Sequence, residues 1–342
     1  MATYNLQSGS DLNNLLASAK SPADAESVKM WSEWLGFTPS KHNPVTAVLE
    51  NQGNTAGTPY TLGGSHEMFL FSGATGATAF VSDANGGNIL ADPGNITYLG
   101  PTMAGATGGD TLLGAAGSTL SVISGNNSLV SMSGHSTLIG GSGNDNLAGG
   151  YVAGAADVLR AGSGNDKLYA YHGNNSLLAG TGFDYLQGGD GADTLMGGSG
   201  TSTLYAGTGQ NVLEGGSGRT WLYGHWGGPG THYDMLYSGT DPASQTTMYG
   251  GSVGAEEILK GGSNLVVGGP SWDWVQAGNS PGAEHDSIYG GHYTVITEAN
   301  KSTDIASQTV VGGVTQLTFS NGQTLDSWNA KIIFSDGKVI KT

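Results

Sequence analysis

Five aspartates, Asp145, Asp157, Asp166, Asp184 and Asp193, each follow a glycine-containing turn and each stand two residues ahead of a leucine. Carboxylates set among glycines offer hard oxygen donors beside backbone carbonyls that are free to turn, which is the donor set that Ca2+ takes. The clearest copies read Gly140-Gly141-Ser142-Gly143-Asn144-Asp145-Asn146-Leu147, Gly162-Ser163-Gly164-Asn165-Asp166-Lys167-Leu168 and Gly188-Gly189-Asp190-Gly191-Ala192-Asp193-Thr194-Leu195. The candidate metal residues are these five aspartates with Gly141, Gly143, Gly162, Gly164, Gly180, Gly182, Gly189 and Gly191. The competing reading of each Asp is a turn residue that bonds its own backbone, as Asp readily does.

The elements that position these turns announce themselves by period. Leucine recurs every ninth residue at Leu168, Leu177, Leu186, Leu195, Leu204, Leu213 and Leu222, which predicts a stack of short strands with leucine inward. The beat extends back through Val81, Leu90 and Leu99, then Leu112, Leu120, Leu129, Leu138, Leu147 and Leu159. It loosens after Leu222 through Leu236, Met248, Leu259, Val266, Val275 and Ile288, with insertions such as Gly227-Gly228-Pro229-Gly230 placed in loops.

The phased turns resemble the G-G-x-G-x-D-x-U-x nonapeptide of the RTX, or haemolysin-type calcium-binding, repeat family from Gly105 to Gly291. The resemblance implies a β-roll in which two nonapeptides complete one coil, residues 18 apart are vertical neighbours, and Ca2+ lies between successive turns of one edge. Sorted this way, one edge carries Asp110, Asn127, Asp145, Asp166, Asp184, Ser202 and Thr220, and the other Ser118, Ser136, Asp157, Asn175, Asp193 and Asn211. Asp145/Asp166 and Asp166/Asp184 are the expected calcium pairs, whereas Asp157 and Asp193 alternate with Asn and give weaker sites. Asp110, Asp157, Asp234, Asp273 and Asp286 stand in degraded glycine context. At the Asn, Ser and Thr turns a side-chain hydrogen bond replaces the ion, so the roll is expected to be partly metal-independent.

Composition bounds the rest. The 342 residues hold 61 Gly, no Cys and only 11% charged residues, with a formal net charge of -16. Disulfides and thiolate metal sites are excluded, and the charge argues against nucleic acid or an anionic membrane as partner. No run is long enough for a membrane span, and the opening residues predict no leader of the general export route. The resemblance instead implies one-step type I export from a Gram-negative bacterium to the cell surface or medium.

The expected fold class is all-β, a parallel β-roll or β-solenoid with a small helical N-terminal cap and a β-structured C-terminal cap. Residues 1–57 form the first cap, with a helix from Pro22 to about Leu35 behind a Ser21 cap. Residues 58–291 form the roll, most regular over 105–224. Residues 292–342 form the last cap and, by the resemblance, carry the type I secretion signal. Strands are expected at Gln308–Val311, Gln316–Phe319 and Lys331–Phe334, with turns at Asn321-Gly322 and Asp336-Gly337.

Outward positions of one sheet are aromatic: Tyr169, Gln187, Tyr205 and Tyr223 form one row, with Lys167, Tyr185, Thr203 and Trp221 beside it. Such a face either stiffens the sheet by cross-strand pairing or stacks on a carbohydrate through Tyr169, Tyr185, Tyr205, Trp221 and Tyr223. An apolar opposite face suggests self-assembly or a homo-oligomer. Of the motifs with enzymatic precedent, His66-Glu67 lacks its second histidine at Leu70, and Gly134-His135-Ser136-Thr137-Leu138 lacks the closing glycine. His225, His232 and Asp234 share one insertion, read as a solvated loop. The favoured function is a secreted, non-enzymatic calcium-binding protein with a structural, adhesive or self-assembling role. Two alternatives stay open: a polysaccharide-acting enzyme or carbohydrate-binding accessory, and an effector that binds a host or competitor protein.

Overall fold

The computed structural model describes seven strands of residues 1–108 as backbone alone. From residue 109 onward it describes the chain except positions 110, 115, 132, 155, 226–232 and 279–284 and the side chains at 292 and 293. The expected helix over residues 22–35 lies outside the described residues. Two compact units result, Met1–Leu168 and Tyr169–Thr342. Both are built as parallel β-solenoid, and among the described residues the one helical element is the 3-10 turn Ser302–Asp304.

In the first unit Ala2–Leu6 runs antiparallel to Val45–Glu50, and every other described pairing is parallel, joining a strand to the second one along the chain. Consecutive strands therefore go to opposite sheets, which is how short strands with one apolar face bury that face against each other. Leu90 pairs with Leu112, Leu112 with Leu129, and Leu129 with Leu147. On the other sheet Leu120 pairs with Leu138, and Leu138 with Leu159. From Leu112 on, these leucines are fully buried, each worth roughly 2 kcal/mol of transfer free energy. That gain opposes the large entropy lost by the glycine turns. The early beat needs correction: Leu120 pairs with Tyr98, and Tyr98 with Phe80, so Leu99 and Val81 stand one position off the ladder.

The second unit repeats the plan. Leu186, Leu204, Leu222, Met248, Val266 and Ile288 follow one another in register on one sheet. On the other sheet Leu177, Leu195, Leu213 and Leu236 do the same. Insertions lengthen single coils, as where Asn211 and Asp234 are neighbours 23 residues apart, without breaking the ladder. A second correction falls here: the partner of Leu236 is Glu257, not the expected Leu259, and Glu257 in turn pairs with Val275.

The expected change of pattern near 291 falls inside the strand His285–Glu298, whose first half pairs with Ser263–Val267 and second half with Trp272–Ala277. Thr324–Phe334 then runs parallel to it along both halves. Antiparallel hairpins follow, turning at Asn321-Gly322 and Asp336-Gly337 as the sequence predicts, and also at Gly312-Gly313. These strands bury Leu317, Phe319, Leu325, Ile332 and Phe334 and occupy the sheet edge that a solenoid would otherwise leave open.

Candidate metal sites at the glycine turns

Each turn aspartate points inward and is buried, with 5% exposure or less at Asp145, Asp157, Asp166, Asp184, Asp193, Asp234, Asp273 and Asp286. The cause is the strand that follows: the leucine two residues on faces the core, so the Asp, two positions earlier on the same side, faces it too. Glycine makes the approach possible. Gly141, Gly143, Gly162, Gly164, Gly182 and Gly191 all have positive φ, from 82° to 135°. A Cβ at Gly143 would stand 2.0 Å from the Gly125 carbonyl oxygen, and one at Gly164 only 1.7 Å from that of Gly143. Gly162 abuts Gly141 O, Gly189 abuts Tyr171 O, and Gly180 O lies against Gly198. Columns of carbonyl oxygens thus run along the turns beside the carboxylates.

In the first unit Asp145 and Asp166 come together as expected. Asp145 N–H donates to Asp166 Oδ1 at 2.7 Å, and the Asn127 N–H and Nδ2–H donate to Asp145 Oδ1 at 2.7 and 2.8 Å. Asp157 stacks on Ser136 of the other edge, whose N–H it accepts at 2.7 Å, while its Oδ2 takes the Gly150 N–H. In the second unit Asp193 Oδ1 accepts from Asn175 N and Nδ2, and Asn211 and Asp234 repeat that arrangement. Asp184 is in register with Ser202, and Ser202 with Thr220. The two-edge sorting therefore holds within each unit. Side-chain hydrogen bonds join neighbouring coils at Asn127, Asn175 and Asn211 and at Ser136, which accepts the Ser118 N–H, whereas Ser202 and Thr220 accept the N–H that begins their own turn.

The second carboxylate oxygen separates the sites. In Asp157, Asp184, Asp193, Asp234 and Asp273 it accepts the N–H that begins its own turn, from Gly150, Gly180, Gly189, His225 and Gly269 at 2.6–3.0 Å. Asp145 Oδ2 is buried with no hydrogen-bond partner. Burial pushes the Asp145 carboxyl up to about 7, against the easing effect of the Asn127 donors and with a further push from Asp166. Burial also raises Asp193 and Asp234. An unsatisfied buried carboxylate oxygen next to a second carboxylate and a column of glycine carbonyls fits a hard dication. Among the described residues no three His, Asp or Glu side chains gather at one point, so an ion would complete its shell from backbone carbonyls or water.

The family model of the RTX calcium-binding nonapeptide repeat matches four stretches, residues 123–150, 151–186, 173–204 and 187–222. Residues 123–222 are RTX calcium-binding nonapeptide repeats. No curated protein matches the chain. The RTX repeats contain all five candidate aspartates, and the ladders run on past them to Asp234, Asp273 and Asp286. RTX repeats are a calcium-binding class typical of secreted proteins, and among the described residues no helix is long and apolar enough to cross a membrane.

One expected placement is corrected, and one group of residues was missed from the sequence. His225 and Asp234 are not in a solvated loop: Asp234 is fully buried, and His225, 4% exposed, places Nδ1 2.6 Å from the Gly207 carbonyl. The signal was there, since Asp234 also stands two residues ahead of a leucine. On the second sheet Tyr233, Trp272 and Trp274 are exposed and line a cleft of about 530 Å³ with Glu256 and Lys331. Trp272 and Trp274 flank Asp273 in a degenerate repeat, so their outward direction could have been read from the period.

A pH prediction follows from Asp145. Its folded carboxyl titrates near 7 against an ordinary 3.8, so without metal the stability it contributes is full below 3.8 and is lost as pH rises through about 7. In a chelator the protein is expected to melt at a higher temperature at pH 5 than at pH 8. In millimolar calcium the difference shrinks or reverses, because protons and the ion compete for one carboxylate. Calorimetry at both pH values checks it, and a chelated melting temperature that rises with pH would refute it.

Proposed function

We propose that this chain is a secreted, non-enzymatic calcium-binding protein whose solenoid serves a structural, adhesive or self-assembling role outside the cell. The observation that carries the reading is the pairing of Asp145 with Asp166 between glycine turns, with a buried carboxylate oxygen left for a cation. Asp145 and Asp166 with the carbonyls of the Gly141–Gly143 and Gly162–Gly164 turns would hold calcium; Asp184, Asp157 and Asp193, with Gly180, Gly182, Gly189 and Gly191, are the further candidates. Bound calcium supplies charge neutralisation and cross-linking between successive coils. The chain's own part is to hold carboxylates at a close repulsive spacing that hydrogen bonds only partly relieve. Ordering then tracks calcium, which extracellular modules take at about 10⁻⁴ to 10⁻³ M.

Calcium titration with light scattering tests both halves. Calcium uptake with growth into large particles supports the reading, and a chain that takes up no calcium overturns it.

A second reading, carbohydrate binding, is favoured by the outer face of the second unit. Tyr169, Tyr185, Tyr205, Tyr223 and Tyr249 form a continuous ring ladder with centroids 5.8, 5.3, 4.6 and 4.7 Å apart, the last two contacts stacked within 8° and 2° of parallel. Tyr185 leans across from its own row to fill the gap that Gln187 leaves. Beside the ladder Arg219 lies over Trp221 at 5.9 Å and donates to Gln245, at one end of an open cleft of about 540 Å³ that reaches His285 and Tyr289. If sugars stack there, Trp221→Ala and Tyr205→Ala each weaken oligosaccharide binding about tenfold, read by tyrosine and tryptophan fluorescence. Oligosaccharides that leave the wild-type fluorescence unchanged would sink this reading.

A further inference from the structure

The ladder of the second unit contains a substitution that costs stability unless something compensates it. At the edge position, Asp234 is followed one coil later by Ala255 and then by Asp273, so the middle turn has lost its carboxylate. Two residues further along the same strand, and facing the same way, Glu257 stands where the flanking coils have Leu236 and Val275. An acid at a leucine position of a solenoid core is strongly unfavourable when it is charged and unpaired. Glu257 is fully buried, and among the described residues neither carboxylate oxygen has a hydrogen-bond partner.

Diagonally across the ladder on the next coil stands Asp273, a second carboxylate; burial pushes the Glu257 carboxyl well up and the Asp273 charge adds to it. Asp273 is also buried, holds Gly269 N–H at 2.6 Å through Oδ2, and leaves Oδ1 without a hydrogen bond, although the Ala255 amide is close enough to ease its charge. Glu256, on the outward side, is tied to Gln276 at 2.6 Å and adds a further negative charge. Among the described residues, no Lys, Arg or His figures among the groups that act on Glu257 or Asp273.

Glutamate is longer than aspartate. Its inward position lies two residues along the strand from Ala255, where the carboxylate is missing. We propose that Glu257 and Asp273 form a further divalent-cation site, lying beyond the matched repeats, that takes calcium through carboxylate oxygens. This inference rests on the calcium reading above, and the added content is that the site is rebuilt from a core position in place of an edge one. The two carboxylates supply up to four of the six to eight oxygens that calcium requires, with backbone or water making up the remainder.

The test counts bound calcium by isothermal titration, with melting curves in calcium and in chelator, on the full chain. Glu257→Gln keeps the volume and removes the charge, Glu257→Leu restores the aliphatic ladder, and Asp145→Ala with Asp166→Ala marks the repeat sites. Both Glu257 variants are expected to bind one ion fewer than the wild type. Glu257→Leu should melt higher than the wild type in chelator and lose that advantage in calcium. Should either variant fold poorly, Asp273→Asn reads the same loss of one ion. Unchanged stoichiometry in the Glu257 variants, with an ion lost from the Asp145/Asp166 variant, overturns this site alone. A wild type that binds no calcium overturns the underlying reading together with it.

Discussion

Alanine at both Asp145 and Asp166 is expected to remove most of the calcium dependence of the first unit. A site filled at about a hundred times its dissociation constant contributes roughly 2.7 kcal/mol, or about 4 °C in melting temperature for a chain of 342 residues. The variant should therefore melt about that much below the wild type in millimolar calcium. In chelator the gap closes or inverts, because the substitution also deletes the mutual repulsion of two buried carboxylates and the unsatisfied Asp145 Oδ2. The comparison is internal: four melting curves, two proteins in two media. Equal losses in calcium and in chelator would mean that the aspartates act only as hydrogen-bond acceptors for Asn127 and the Asp145 backbone, and the metal assignment would fail. A single Asp157→Ala substitution in the first unit tests one of the further candidates: both Asp157 oxygens are engaged by backbone N–H groups, so a loss that is alike in both media would remove Asp157 from the calcium residues.

The second large effect is steric. Gly164→Ala places a Cβ 1.7 Å from the Gly143 carbonyl oxygen at a φ of 135°, so the coils must separate or the turn must change conformation. A destabilisation of about 4 kcal/mol or more is expected, at the upper end for single substitutions. Gly154→Ala is the matched control: its φ is also positive, at 82°, but nothing lies within 4 Å, so only the local backbone preference of about 1 kcal/mol is lost. Chemical denaturation of the two variants separates close approach from turn conformation. Similar small losses would show that the coils are not stacked as tightly as the Gly143–Gly164 contact requires.

Much of this protein was readable along the chain, for a definite reason. In a solenoid each residue's environment repeats at a fixed interval, so a local pattern reports a long-range neighbour. The nine-residue leucine beat predicted the buried ladders, the turn sorting predicted that Asn127 meets Asp145 and that Asn175 meets Asp193, and the Asn-Gly and Asp-Gly pairs placed two of the terminal hairpins. The failures came where the interval slipped. Leu99 and Leu259 are apolar and close to the beat, yet backbone pairing gives their places to Tyr98 and Glu257. Hydrophobicity marks which residues want burial, but it does not count the residues spent in a turn.

Alone, the sequence determined the repeat length, the inward leucines and the candidate glycine–aspartate donor set, which depend only on periodicity and on what glycine and aspartate can do locally. The parallel two-sheet plan and the two-edge arrangement of the turns came with the resemblance to the RTX repeat family. Tertiary structure decided which carboxylate oxygens are already satisfied and which, as at Asp145 and Glu257, are not. It also decided that Tyr185 crosses to its neighbours' row, and that Trp272 and Trp274 line a cleft with Tyr233. Each of these is a matter of distances between coils of unequal length, and such distances are set by packing of the whole stack and are not written in any one repeat.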